Sequence, residues 1–245
     1  MRLSQAWTIA LHDLVLLRTR RSVYVGLVLF PIMVAVIFPL LTRYILETAT
    51  HMYPSELTSL LDAFSFWFAV GGSVLPGSIA SYSIAGEKIE KSLEPLLATP
   101  STDSEILLGK VLSAFLPTLL AIWGGAGLYM VLMDRVTGGY LGYLYYPNWE
   151  MAILLLVLSP LICLVSIEIS VIISSWVTDV RSAQQISSMT FLPFVLIYVM
   201  GEAGVIPLDN PHLLEISGIL AVLSLLLFSV SRKTFHREEI LTRWR

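Results

Sequence analysis

The chain has 245 residues, of which 56% are hydrophobic and only 13% charged, for a net charge of −3 and a mean hydropathy of +0.79. Soluble domains carry about 25% charged residues, so this composition excludes an ordinary soluble domain and calls for a bilayer. The single cysteine, Cys163, excludes a disulfide framework and a cysteine-based metal site.

The first element in chain order is an amphipathic stretch. Leu3, Ala6, Trp7, Ala10, Leu11, Leu14 and Leu17 follow the spacing of one helix face, and Ser4, Gln5, Thr8, His12 and Arg18 fall elsewhere. Such a helix lies in the membrane interface with its tryptophan at headgroup depth, either as an anchor or as a lever joined to the first span. Residues 22–42 then form an apolar run longer than a signal-peptide core and without a small-residue cleavage site. It is a retained first span.

A second span covers 63–85. Within it Ser73, Gly77 and Ser81 recur every fourth residue, the small-residue spacing that lets helices approach closely. Pro76 removes a backbone hydrogen bond and kinks a helix. These four residues read either as close packing or as a hinge. Residues 86–110, GEKIEKSLEPLLATPSTDSEILLGK, then carry eight charges around a short helix with Ile89, Leu93, Leu96 and Leu97 on one face. Pro95 fits the first turn of that helix and Pro100 ends it. A leucine face bordered by charge either docks a partner protein or lies flat on the membrane.

Further spans are expected over 111–133, 151–178, 182–201 and 211–231, giving six in all. Tyr140, Tyr143, Tyr145, Tyr146 and Trp149 crowd the connector between the third and fourth. They serve as interfacial anchors, or their glycine- and proline-bearing run dips into the leaflet. Glu168 is the one ionisable residue read as deep in a span, roughly 15 Å from the nearer end by helix rise. An acid there costs about 2.5–3.5 kcal/mol to insert, so it faces protein or a watery path. It reads either as a pathway contact or as an interhelical hydrogen bond with a serine or threonine.

Lysine and arginine set the orientation. With the N-terminus inside, thirteen of the fifteen fall on the inner side, leaving only Arg43 and Arg135 outside. Both termini are therefore expected in the cytoplasm of a multi-pass cell-membrane protein. The fold class is all-α, with an interfacial helix over 1–21, a six-helix transmembrane domain over 22–232 and a cytosolic tail over 233–245.

The 86–110 segment resembles the signature of ABC type-2 permeases, the membrane subunits of ATP-binding-cassette exporters. Gly86, Glu87, Leu93, Glu94, Pro95, Leu96, Leu97, Ala98, Pro100, Glu105, Ile106, Gly109 and Lys110 match that pattern. Ile89, Lys91 and Ser92 depart from it. The stretch from Ile173 to Pro193 also resembles the family's link between the fourth and fifth spans, at Asp179, Arg181, Ala183 and Gln184. The resemblance implies a cytosolic ATPase subunit gripping Glu87, Leu93, Glu94, Leu96, Leu97 and Pro100, and a second permease chain, identical or similar. It implies no nucleic acid, and ATP and magnesium on the ATPase rather than here. No phosphate-loop, metal-binding or nucleophile motif occurs in the chain, so no enzyme activity and no cofactor of its own are expected. The alternative from residues alone is a self-sufficient secondary transporter or channel with Glu168 as its ion or proton site.

Overall fold

A computed structural model describes residues 3–19, 21–49, 51–81, 102–177, 179–205 and 209–234. All of Glu87, Leu93, Glu94, Leu96, Leu97 and Pro100 lie outside these described residues. The elements are α1 (Leu3–Thr19), α2 (Arg21–Thr48), α3 (Pro54–Ser81), α4 (Asp103–Leu141), α5 (Trp149–Trp176), α6 (Val180–Ser188), α7 (Phe191–Glu202) and α8 (Asn210–Thr234). Among the described residues, six helical stretches are long and apolar enough to cross a membrane, α6 and α7 together forming the fifth.

Two spans are longer than hydropathy suggested. The second begins at Pro54 rather than 63, and the third runs unbroken from Asp103 to Leu141 rather than over 111–133. At 39 residues, α4 is about 58 Å long by helix rise, nearly twice the hydrocarbon thickness. Charge-free windows miss these ends because a helix continues beyond the bilayer wherever its backbone can be capped. Glu105 caps one end, accepting a 2.9 Å hydrogen bond from the Thr102 amide. At the other end Gly142 adopts the left-handed conformation with φ of 77°, and its amide donates to the Gly138 carbonyl.

The core is built around α3, whose window is 78% buried, against 33% for the first span and 22% for each of the last two. The central helix touches α2, α4, α5, α6 and α7. Consequently α2, α7 and α8 turn apolar side chains such as Leu40, Leu196 and Leu225 outward. The long helix α4 takes α2 along its flank at Gly125, where an added Cβ would lie 2.3 Å from the Pro31 Cβ. No side chain fits between those backbones.

One irregularity has a local cause. Leu154–Leu158 of α5 form a π turn in which the Ser159 amide donates to the Leu154 carbonyl. In that register the amide of residue 160 would serve the Leu155 carbonyl, but proline has none. The Trp123 indole of α4 donates to Leu155 O at 3.0 Å instead. A side chain from the neighbouring helix thus fills the vacancy that Pro160 creates.

Candidate functional site

At the α1 end, α3 and α5 meet along a seam of small side chains. Ser73, Gly77 and Ser81 recur every fourth residue on α3, as do Ser166, Ser170 and Ser174 on α5. The Ser166 hydroxyl donates to the Ser73 carbonyl and the Ser174 hydroxyl to the Ser81 carbonyl at 2.9 Å. A Cβ on Gly77 would lie 3.5 Å from Ser170 Oγ and 3.6 Å from Ser187 Cβ. The α6 helix closes the third side, with Ser81 Oγ and Ser187 Oγ 3.3 Å apart. Pro76 is buried within α3, and the helix continues through it. The structure therefore brings Ser73, Gly77 and Ser81 together at one contact, with Pro76 buried in the same stretch of α3. The matching serine row on α5 was equally visible as a four-residue spacing in the sequence.

Glu168 sits on the adjoining face of α5, with 4% of its surface exposed. Ser224 of α8 donates to its Oε1 at 3.2 Å, and its Oε2 has no hydrogen-bond partner among the described residues. Glu168 thus has a serine of another span, Ser224, as its hydrogen-bond partner. Ser166 and Ser170, the serines two residues to either side of it on α5, donate instead to the Ser73 carbonyl across the seam and to the Ser166 carbonyl of their own helix.

Glu168 is not alone among buried ionisable groups. Lys110, one of the eight charges of the 86–110 segment, has 0% side-chain exposure. Its Nζ lies 3.7 Å from Asp13 Oδ2 on α1, and the Ser113 hydroxyl donates to the same oxygen at 3.5 Å. The α1 stripe is also divided. Ala6, Ala10 and Leu17 are buried against protein, whereas Trp7 and Leu11 are exposed. Asp13 signalled none of this in sequence, because an acid on a surface helix reads as a solvated charge.

At the opposite end the tyrosine-rich connector splits in two. Tyr140, Tyr143 and Trp149 are exposed, whereas Tyr145 and Tyr146 turn into the bundle. Both of their amides donate to Asp134 Oδ1, at 3.0 and 3.1 Å. The Tyr146 hydroxyl is 2.7 Å from Ser65 Oγ, donates to Leu61 O at 3.0 Å, and lies 3.2 Å from the Tyr129 hydroxyl. Tyr145 donates to Asp62 at 2.7 Å, with Asn148 Nδ2 3.4 Å from the same carboxylate. Burial and this carboxylate push the Tyr145 phenol well above its ordinary range. Asp62 thus stands within α3, whereas hydropathy placed it just before the second span.

Beside this network a cavity of about 230 Å³ opens between α3, α5, α7 and α8. Asp62, Glu150, Glu202 and Asp209 line it together with apolar Phe66 and Leu213. Among the described residues no three His, Cys, Asp or Glu side chains converge as metal ligands.

Six membrane-length helices around a small-residue seam, an N-terminal helix lying on the third span, and polar groups paired at both ends define a multi-pass membrane protein. The model of the family described as "ABC-2 family transporter protein" matches residues 7–232, nearly the whole chain, and the protein belongs to that family. It is an ABC transporter permease, a membrane transport subunit rather than an enzyme, and family membership implies an ABC ATPase as its partner. No curated protein matches the chain.

Proposed function

We propose that this permease works in an exporter whose cytosolic ATPase subunits grip the 86–110 segment and convert ATP-driven closure into movement of the spans. The observation that carries the reading is where that segment is attached. It joins the central, most buried helix α3 to the longest helix α4. A pull on the segment reaches the core from one end and the full depth of the membrane from the other. Glu87 and Glu94 supply charge, Leu93, Leu96 and Leu97 the apolar contact, and Pro100 the end of the gripped helix. ATP and magnesium belong to the ATPase, and differential contact with its open and closed states shifts the permease between conformations.

The distribution of lysine and arginine supports an arrangement with both termini and the 86–110 segment in the cytoplasm. The outward apolar faces of α2, α7 and α8 leave room for a second permease chain within the bilayer. The unpartnered Oε2 of Glu168 supports a contact with a polar or cationic group passing along the pathway. Pro76 beside Gly77 supports bending of α3 as the segment moves.

Replacing Leu93 and Leu96 by aspartate tests the docking. The ATPase is expected to vanish from affinity-purified permease while the permease itself still inserts. Undiminished co-purification overturns the reading. Glu168→Gln is expected to alter transport, and an unchanged pH profile of transport removes Glu168 from the pathway.

A further inference from the structure

α1 precedes α2 in the chain, yet its main packing partner is α4. At Gly109 an added Cβ would lie 2.8 Å from the Ala6 carbonyl oxygen and 2.8 Å from Ile9 Cβ. The two helix backbones therefore touch, and any larger residue would push α1 away. One residue further, Lys110 is fully buried beneath α1 and paired with Asp13, whose side chain is 15% exposed. Ser113, three residues on, adds a second contact to the same carboxylate. A buried ion pair contributes little net stability compared with apolar replacements, but separating its partners strands a charge away from water. It resists displacement of one helix along the other more than a greasy contact of equal area does. Lys110 lies roughly 10 Å by helix rise from Asp103, where α4 receives the 86–110 segment.

We infer that Asp13 and Lys110 form a clamp that makes α1 and the first turns of α4 one lever, so that motion delivered at the 86–110 segment also carries the N-terminal helix. This rests on the reading that an ATPase grips that segment. Asp13 and Lys110 are positioning residues in this scheme. Gly109 supplies the close approach, the ion pair prevents sliding, and α2, which follows α1 directly in chain order, receives the motion. Two spans remote in sequence would then respond to one input.

The test uses the permease–ATPase complex in lipid nanodiscs, with hydrogen exchange at residues 134–148 followed without nucleotide and with ATP plus vanadate. The double variant D13N/K110M removes both charges together, so neither is left stranded and folding is preserved. Its nucleotide-dependent change in exchange, per ATPase retained, is expected to fall about fivefold or more, the low end of an allosteric coupling. In a second variant, D13C/K110C, a short bifunctional thiol reagent replaces the ion pair with a covalent tie and is expected to restore the response. A full response in D13N/K110M overturns the clamp, as does failure of the cross-linked D13C/K110C to recover. So does a wild-type complex that hydrolyses ATP with no change in exchange. If the wild-type permease retains no ATPase at all, the coupled-permease reading itself falls.

Discussion

The two ends of α3 are built from opposite chemistry. Toward one end, Ser73, Gly77 and Ser81 meet the serines of α5 through hydroxyl-to-carbonyl hydrogen bonds, and the helices close with no gap for water. Toward the other, Leu61, Asp62 and Ser65 meet Tyr145 and Tyr146, long side chains that satisfy the polar groups from a distance. A cavity of about 230 Å³ remains beside them. One helix thus holds a dry fixed contact and an open polar one about three turns apart. Side-chain size sets how near two backbones come, and polar reach sets whether the space between them stays open.

The comparison breaks first at the close contacts, where the largest effect is expected. Gly77→Leu should destabilise the protein by about 1–3 kcal/mol through overpacking, measured as thermal unfolding in detergent. Gly77→Ala should be nearly neutral, because a Cβ there meets neighbours only at ordinary contact distance. Gly125→Ala should behave like the leucine variant, since its Cβ has no room against Pro31. If both alanine variants unfold at the same temperature, the room for a Cβ at these close contacts does not control the approach of the helices.

The open end should yield less. Tyr146→Phe removes a hydroxyl shared among Ser65, Tyr129 and the Leu61 carbonyl, and should cost about 1 kcal/mol. Single-site hydrogen exchange in the Tyr145 and Tyr146 amides should rise in the same variant, showing the connector loosening from Asp134. An unchanged exchange rate would mean that the connector is held by its backbone contacts alone.

The smallest effect concerns α6, the third wall of the seam. The Asp179 carboxylate caps this helix by accepting from the Ser182 amide at 3.0 Å, which holds its pKa below the usual carboxylate value. A depressed pKa in the folded state means that the cap contributes above the ordinary aspartate range and is lost as pH falls through the lowered value. Protection of the Ser182 amide, taken relative to its intrinsic exchange rate, should therefore hold through mild acid and fall only below the ordinary aspartate range. The Asp179→Ala variant should show the lower protection already at neutral pH, with no further loss on acidification.

Much of the architecture was legible in one dimension. Hydropathy alone yields six spans because a bilayer demands about twenty apolar residues for each crossing, and the chain shows six such stretches. The seam was half legible: the spacing of Ser73, Gly77 and Ser81 marks a contact face, but nothing in a period of four names the facing helix. The tyrosine connector was not legible. Tyr140 and Tyr143 differ from Tyr145 and Tyr146 only in which carboxylates lie nearby, and Asp62 is more than eighty residues away.

Composition and the placement of positive charge were sufficient by themselves for class, span number and an expected orientation, because each depends only on transfer between water and lipid, which acts residue by residue. Tertiary structure decided which polar groups are buried. It paired Asp13 with Lys110, Glu168 with Ser224, and Asp62 with Tyr145, turning charges that read as solvated or solitary into contacts between helices. Such pairing depends on distance in space, and a helix carries no record along its own sequence of what will lie against it.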